Sequence, residues 1–208
     1  MTAPRDLRED QIVKVTSRCV NRSYRLVPTP EVVAVVEFCL AYVSEKYREG
    51  GRIELYAFCF MSTHYHLTLR DIGGCVSEFL KELNSLLSRN LNAIRGTSGT
   101  NFEPDPGIQT ILGADRVLES MAYDEANPVV AGIVETSCDW KGVTSASMAV
   151  GQEREVERPN AGNLVDEATA REPAGVDSVG SGRVCGALEA AQGGEAAAGS
   201  PAVLPRAR

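Results

Sequence analysis

The only two histidines in this 208-residue chain are His64 and His66, two positions apart in a stretch that alternates polar and apolar residues. On a strand, residues i and i+2 point to the same side, so the two imidazoles share one face about 6–7 Å apart. A pair so placed can chelate one divalent cation, although two surface histidines on a polar strand would show the same spacing. A second candidate is Tyr123, on a helical segment whose apolar positions are Val117, Leu118, Met121, Ala122 and Ala126. The tyrosine falls off that stripe, in register with Arg116, Glu119 and Asn127, so a core role does not explain it. Asn127, one turn later, is a candidate third metal ligand. A phenol at a water interface is the plainer reading of Tyr123 taken alone. The third group is basic: Lys14, Arg18, Arg22 and Arg25 lie in a stretch free of acids from residue 11 to residue 30. It reads either as a phosphate-binding strand edge or as a solvated polar face.

The elements that must carry these residues follow from hydrophobic period. Gln11–Cys19 alternates, with Val13 and Val15 on one side and Lys14, Thr16 and Arg18 on the other, as in a half-buried strand. Val32, Val36, Cys39, Leu40, Val43 and Tyr47 form a helical stripe that opens at Thr29 or Pro30 and ends at Gly50-Gly51. Arg52–Phe60 is β-rich, and His64–Arg70 alternates again after a short Met61-Ser62-Thr63 link. A second long helix runs through Val76, Phe79, Leu83, Leu87, Leu91 and Ile94. Gly107–Leu112 reads as a fourth strand, and a third helix opens at Asp115 and stops before Pro128. The order β-α-β-β-α-β-α predicts an α+β, ferredoxin-like antiparallel sheet with two helices on one face. The other face stays uncovered and carries Lys14, Thr16, Arg18, His64 and His66.

Composition narrows the classes. An apolar content of 43 % supports a real core, and no run reaches the length of a membrane span. The N-terminus has no apolar segment of the secretory kind. The six cysteines at 19, 39, 59, 75, 138 and 185 have no C-x-x-C spacing, which reads as reduced thiols in a cytoplasmic protein. Of the 28 acids and 21 bases, nine and six lie after residue 150, so both parts are acidic and any phosphate contact must be local. Residues 151–208 are rich in Gly, Ala, Glu and Pro and are expected to be a disordered tail, with a stray helix near Val184–Gln192. The folded domain is then 1–150. Phosphate-binding loops, G-x-S-x-G and H-E-x-x-H are all absent. Cys59 is the one thiol close to the histidines and reads as a buried strand residue.

Two segments resemble a known family. Phe58-Cys59-Phe60-Met61-Ser62-Thr63-His64-Tyr65-His66-Leu67 is similar to the His-hydrophobic-His signature of the IS200-like single-tyrosine (HUH) transposases. Tyr123-Asp124-Glu125-Ala126-Asn127-Pro128-Val129-Val130-Ala131-Gly132-Ile133-Val134 resembles the Tyr-x-x-x-Asn-Pro-x-x-Ala-Gly-hydrophobic-Val segment of the REP-associated branch. With Val15–Arg18 ahead and Trp140–Ser145 behind, the resemblance spans roughly residues 10–147. It implies the same ferredoxin-like fold. It also implies His64, His66 and Asn127 as ligands of Mg²⁺ or Mn²⁺, Tyr123 as nucleophile, and single-stranded DNA hairpins as partners that Lys14, Arg18 and Arg22 would contact. The implied reaction is cleavage and rejoining of single-stranded DNA through a 5′-phosphotyrosine, in transposition or REP-element mobilisation. Monomer and homodimer both occur among relatives. Gly99–Pro106 holds two acids and no base where relatives are basic, and Val130 stands where the branch often has Lys or Arg. A decayed or domesticated copy, and a small metal-dependent hydrolase using only the histidines, are the alternatives.

Overall fold

In the computed structural model of the chain, residues 8–149, 151–159 and 182–185 are described. Strand β1 (Gln11–Arg18) buries Val13, Val15 and Ser17 and turns Lys14, Thr16 and Arg18 the other way, as its alternation requires. Helix α1 (Pro30–Glu49) starts where Thr29 Oγ1 accepts the Val32 amide (3.3 Å) and proline occupies the first helical position. Gly51, at φ +61°, turns the chain into β2 (Ile53–Phe60). Strand β3 (His64–Asp71) returns beside it, the link closed by the Met61 amide donating to His64 O at 2.8 Å.

Helix α2 (Val76–Arg95) is capped by the last residue of β3: the Asp71 carboxylate accepts the amides of Cys75 (2.7 Å) and Val76 (2.9 Å). Strand β4 (Gly107–Ile111) then pairs with β1. The strand order β2-β3-β1-β4, antiparallel throughout, is the ferredoxin-like arrangement. Helices α1 and α2 cover one face. Between them and the sheet lies the apolar core, with Val13, Val15, Leu40, Val43, Leu67, Leu69, Phe79, Leu83 and Leu87 at its centre. Stacked Phe60 and Tyr65 (ring centroids 4.8 Å) fill the hairpin end of that core.

The opposite face is not left open. Helix α3 (Ala114–Val130) lies across it and buries Val117, Ser120, Asp124, Asn127 and Pro128. The apolar stripe expected for this helix is therefore not its buried side; Leu118, for one, is half-exposed. The reason lies in the partner surface: α3 packs on β2 and β3, where Thr68 and the Lys14 side chain from β1 call for polar partners on the helix. Nor does Pro128 end the helix. Proline cannot donate to Asp124 O, and the Asn127 side-chain amide occupies that carbonyl instead (3.3 Å). Regular bonding resumes with Ala131 N to Asn127 O at 2.9 Å.

Two pieces of the expected tail are strands. β5 (Glu153–Val156) and β6 (Gly182–Cys185) pair with each other beside α1. Val156 joins the core, and Arg154 pairs with Glu37 of α1. Val184 and Cys185 are thus extended, not helical; the rest of 160–208 lies outside the described residues. No helix among the described residues is long and apolar enough to cross a membrane.

Because Asp71 satisfies two otherwise orphaned amides of α2, Asp71→Asn should cost about 1–2 kcal/mol. Urea unfolding should show a lower midpoint at unchanged slope.

Candidate active site

The pairing of β1 with β3 sets Thr16 opposite His66 and Arg18 opposite His64. Both imidazoles therefore rise on the α3 side of the sheet. Their rings are perpendicular, with centroids 4.8 Å apart. Each δ nitrogen shares a hydrogen bond with a threonine hydroxyl: His66 Nδ1 with Thr16 Oγ1 and His64 Nδ1 with Thr63 Oγ1, both at 3.0 Å. Hydroxyls on the δ nitrogens orient the rings and leave both ε nitrogens as the free donors, an arrangement suited to holding a cation.

Electrostatics favours the same use. Burial pushes the His66 pKa down to about 3, and the positive charge of His64, Lys14 and Arg18 adds to the effect. Burial and Arg18 lower His64 as well. Both rings are neutral near pH 7, the form that ligates a metal. Among the described residues no group of three or more His, Cys, Asp or Glu side chains could hold a metal, so a further ligand from these residues would be an amide or hydroxyl oxygen.

Tyr123 reaches the same place from α3. Its ring centroid is 6.3 Å from that of His66, the planes are perpendicular, and the side chain is 49 % exposed. The phenol is accessible beside two buried or half-buried imidazoles. A shallow depression of about 390 Å³ between β4 and α3 adjoins it, with Lys14 and Arg116 among its walls. The larger cleft, about 890 Å³, lies along α2 and the 97–108 segment on the other side of the sheet.

Next to Tyr123, the Asp124 carboxylate is fully buried. It accepts from Thr68 Oγ1 at 2.6 Å and pairs with Lys14 Nζ at 2.8 Å. Thr68 Oγ1 also meets Ser120 Oγ at 2.9 Å. Burial raises the carboxyl's pKa, against the pull of Lys14 and Thr68. Asn127 donates its amide to Tyr123 O (2.9 Å) and Asp124 O (3.3 Å), so only its Oδ1 is left as a donor atom for a cation. On its other flank α3 is tied to β2: Glu125 accepts from Ser145 Oγ (2.9 Å), and the Ser145 backbone amide donates to Phe58 O (2.9 Å). Trp140 Nε1 donates to Phe60 O at 3.0 Å. Gly142 sits where a Cβ would press on that indole and lie 2.8 Å from Phe60 O, so only glycine fits.

No protein-family model and no curated protein matches the chain. Among solved structures it is similar to a REP-associated tyrosine transposase bound to a REP hairpin. That match has a TM-score of 0.55 and 17 % identity, covering 70 % of this chain and 82 % of the other. The fold is that of a tyrosine transposase. A second structure, of a Deinococcus radiodurans R1 protein assigned as a transposase, aligns at TM-score 0.39 and 16 % identity over 64 % of this chain and 98 % of its own.

On this transposase-like fold, His64, His66, Tyr123 and Asn127 come together on the α3 side of the sheet. Arg18 and Arg22 are exposed, at the end of β1 and in the turn after it. Lys14 is different, since its ammonium faces a buried carboxylate. Cys59 is buried, and burial lifts its thiol to about 12, so it is unreactive. Sequence reasoning missed Asp124, Thr68 and Ser120. The available signal was the spacing 120, 124, 127 on α3, a polar stripe at helical period.

The depressed His66 has a stability consequence of definite sign. Unfolded, it takes up a proton near 6.5; folded, near 3. Between those values the unfolded state binds the extra proton, so stability present above pH 6.5 is lost as pH falls toward 3, on the order of a few kcal/mol. Denaturation of metal-free protein across that window should show the decline, and His66→Gln should flatten it. A slope unchanged by the substitution would contradict a buried neutral imidazole.

Proposed function

We propose that this chain is a single-tyrosine DNA strand transferase. It would cleave and rejoin single-stranded DNA through a 5′-phosphotyrosine formed on Tyr123, in DNA transposition or mobilisation of REP-like elements. The observation that carries the reading is the approach of an exposed phenol to within 6.3 Å, ring to ring, of one of two neighbouring imidazoles in the same chain. A room of a few ångströms between nucleophile and ligands is what a bound phosphodiester needs.

His64 and His66 fit a divalent cation through their ε nitrogens, with Asn127 Oδ1 as a further donor. Mg²⁺ or Mn²⁺ bound there would polarise the scissile phosphoryl group and offset its developing charge. The work of the chain's own residues is separate. The Tyr123 oxygen attacks phosphorus in line, the phenolic proton passes to water, and the bond to the 3′ oxygen breaks. The product is a free 3′-hydroxyl and a 5′-phosphate ester on tyrosine. Because the ester keeps the bond energy, a second 3′-hydroxyl can reverse the step and join a new strand without ATP. In this reading the phenol and the imidazoles of one chain act together.

Arg18, opposite His64 in the strand register, and Arg22, exposed in the turn after β1, are the proposed phosphate contacts; they position the strand without reading its sequence. The partner class is hairpin DNA with a single-stranded flank, by analogy with the hairpin held by the structural neighbour. A metal-dependent hydrolase using only the histidines would have no use for the phenol beside them, and this argues for the transferase.

The test is covalent attachment. With Mg²⁺ or Mn²⁺ and a panel of hairpin oligonucleotides labelled at the 3′ end, the wild-type chain should form an adduct that survives denaturation. Tyr123→Phe should form none while still binding metal, and a Phe variant that still cleaves would refute the mechanism. His64→Ala should slow cleavage about 100-fold or more, since electrostatic stabilisation is usually the largest catalytic contribution. No adduct from wild type on any hairpin would end the proposal.

A further inference from the structure

Most helices dock on a sheet through an apolar stripe, and such interfaces tolerate small slides and rotations. Helix α3 buries Val117 and Pro128 but also Ser120, Asp124 and Asn127, and Ser120 and Asp124 bond directly to side chains of the sheet. Asp124 has 0 % exposure, and its two carboxylate oxygens are met from two different strands: Lys14 of β1 at 2.8 Å and Thr68 of β3 at 2.6 Å. A buried charge fixes geometry in a way that methyl groups do not. A rotation of α3 that broke either contact would strand a carboxylate or an ammonium away from water. The helix therefore has one azimuth on the sheet, and Tyr123, about 100° round from Asp124, has one direction.

Lys14 makes a second contact that ties the two functions. Its Nζ lies 4.1 Å from the centroid of the Tyr123 ring, so the ammonium that pairs with Asp124 also packs on the phenol. The lysine side chain is 18 % exposed. It runs from β1 under α3 and touches the carboxylate and the nucleophile's ring together. An ammonium so engaged has little to give a DNA phosphate, unlike the exposed guanidinium groups of Arg18 and Arg22.

We propose that Lys14 and Asp124 are positioning residues for Tyr123. Their buried ion pair, braced by Thr68, sets the azimuth of the tyrosine helix, and Lys14 holds the phenol ring over the histidine pair. Lys14 is accordingly not a phosphate contact. This inference rests on the transferase reading for its catalytic consequence, but its structural part stands without it.

The decisive variant is the full chain carrying Lys14→Met together with Asp124→Leu. Replacing both members of a buried pair by apolar groups of similar size commonly preserves folding, which thermal melting checks. Adduct formation should slow 10- to 100-fold, as expected when a nucleophile is displaced by about an ångström. Hairpin affinity should be unchanged, and so should the slope of its logarithm against log salt. Mn²⁺ uptake measured without DNA should be unchanged as well. Lys14→Arg, which keeps the charge, should recover most of the rate. In NMR spectra of the free protein, the nuclear Overhauser effect between the Tyr123 and His66 rings should be present in wild type and lost in the double variant. If the double variant does not fold, Thr68→Val is the second variant. It removes one of the carboxylate's two partners and keeps the charge paired, so the rate should fall several-fold at constant affinity.

A wild-type rate in a folded double variant overturns the proposal. So does a salt slope reduced by about one unit, the mark of a lost phosphate contact. An undiminished Overhauser effect in the variant overturns it too. Should wild type form no adduct on any hairpin, the transferase reading fails, and the ring-to-ring measurement still decides whether Lys14 and Asp124 place the tyrosine.

Discussion

The pairing of β1 with β3 in the register Thr16 to His66 is the constraint on which the site depends. Side chains alternate along a strand, so a slip of one residue would send both imidazoles into the apolar core and bring Tyr65, Leu67 and Leu69 out of it. The core forbids that exchange, because those three side chains have 0 % exposure beneath α1 and α2. The packing that stabilises the domain on one face of the sheet thereby fixes the chemistry on the other. Lys14, Thr16, His64, His66 and Thr68 share a face because Val13, Val15, Tyr65, Leu67 and Leu69 must share the opposite one.

That polar face then sets the terms for α3. Covering it with an apolar stripe would bury Lys14 and Thr68 without partners, at a cost of several kcal/mol for the ammonium alone. Covering it with Ser120 and Asp124 satisfies them. The consequence is a helix held in part by directional bonds, with Leu118 and Val130 left outside at 51 % and 69 % exposure while Val117 and Pro128 are buried. The same economy appears at Pro128, where the Asn127 amide takes up the carbonyl that proline leaves free. A residue read from sequence as a metal ligand is thus also the repair of a helix defect.

What could be read in the sequence was whatever a single period encodes. The strands, the first two helices and the shared face of His64 and His66 follow from alternation and stripes. The separation of Tyr123 from the apolar positions of its helix was legible in the same way. The docking side of α3 was not, because stripe logic assumes that helices bury apolar residues, and here the partner surface is polar. Lys14 shows a related limit: a basic side chain on a strand does not announce whether its counter-charge is a DNA phosphate or a carboxylate 110 residues later in the chain. Residues 153–156 were read with the polar stretch that follows them. Their order comes from long-range partners, Glu37 and the core around Val156, that no local pattern displays.

The electrostatics of the site also answers how an acidic chain, at net charge −7, could serve nucleic acid. The field that matters is local. Burial, with a smaller contribution from neighbouring positive charge, holds His66 neutral, and Arg18, opposite His64 in the strand register, leaves an exposed guanidinium beside the pair. Neutral imidazoles with no carboxylate grouped beside them among the described residues form a weak anchor for a hard divalent cation, which prefers oxygen donors. A phosphodiester supplies both missing elements, the oxygen ligands and the negative charge. On the proposed reading, therefore, the two imidazoles hold their cation firmly only when the strand to be cut lies against them. By linkage, the cation strengthens the grip on the strand to the same degree. Weak general affinity for DNA is then compatible with a competent site, because attraction is concentrated at the phosphate that reacts.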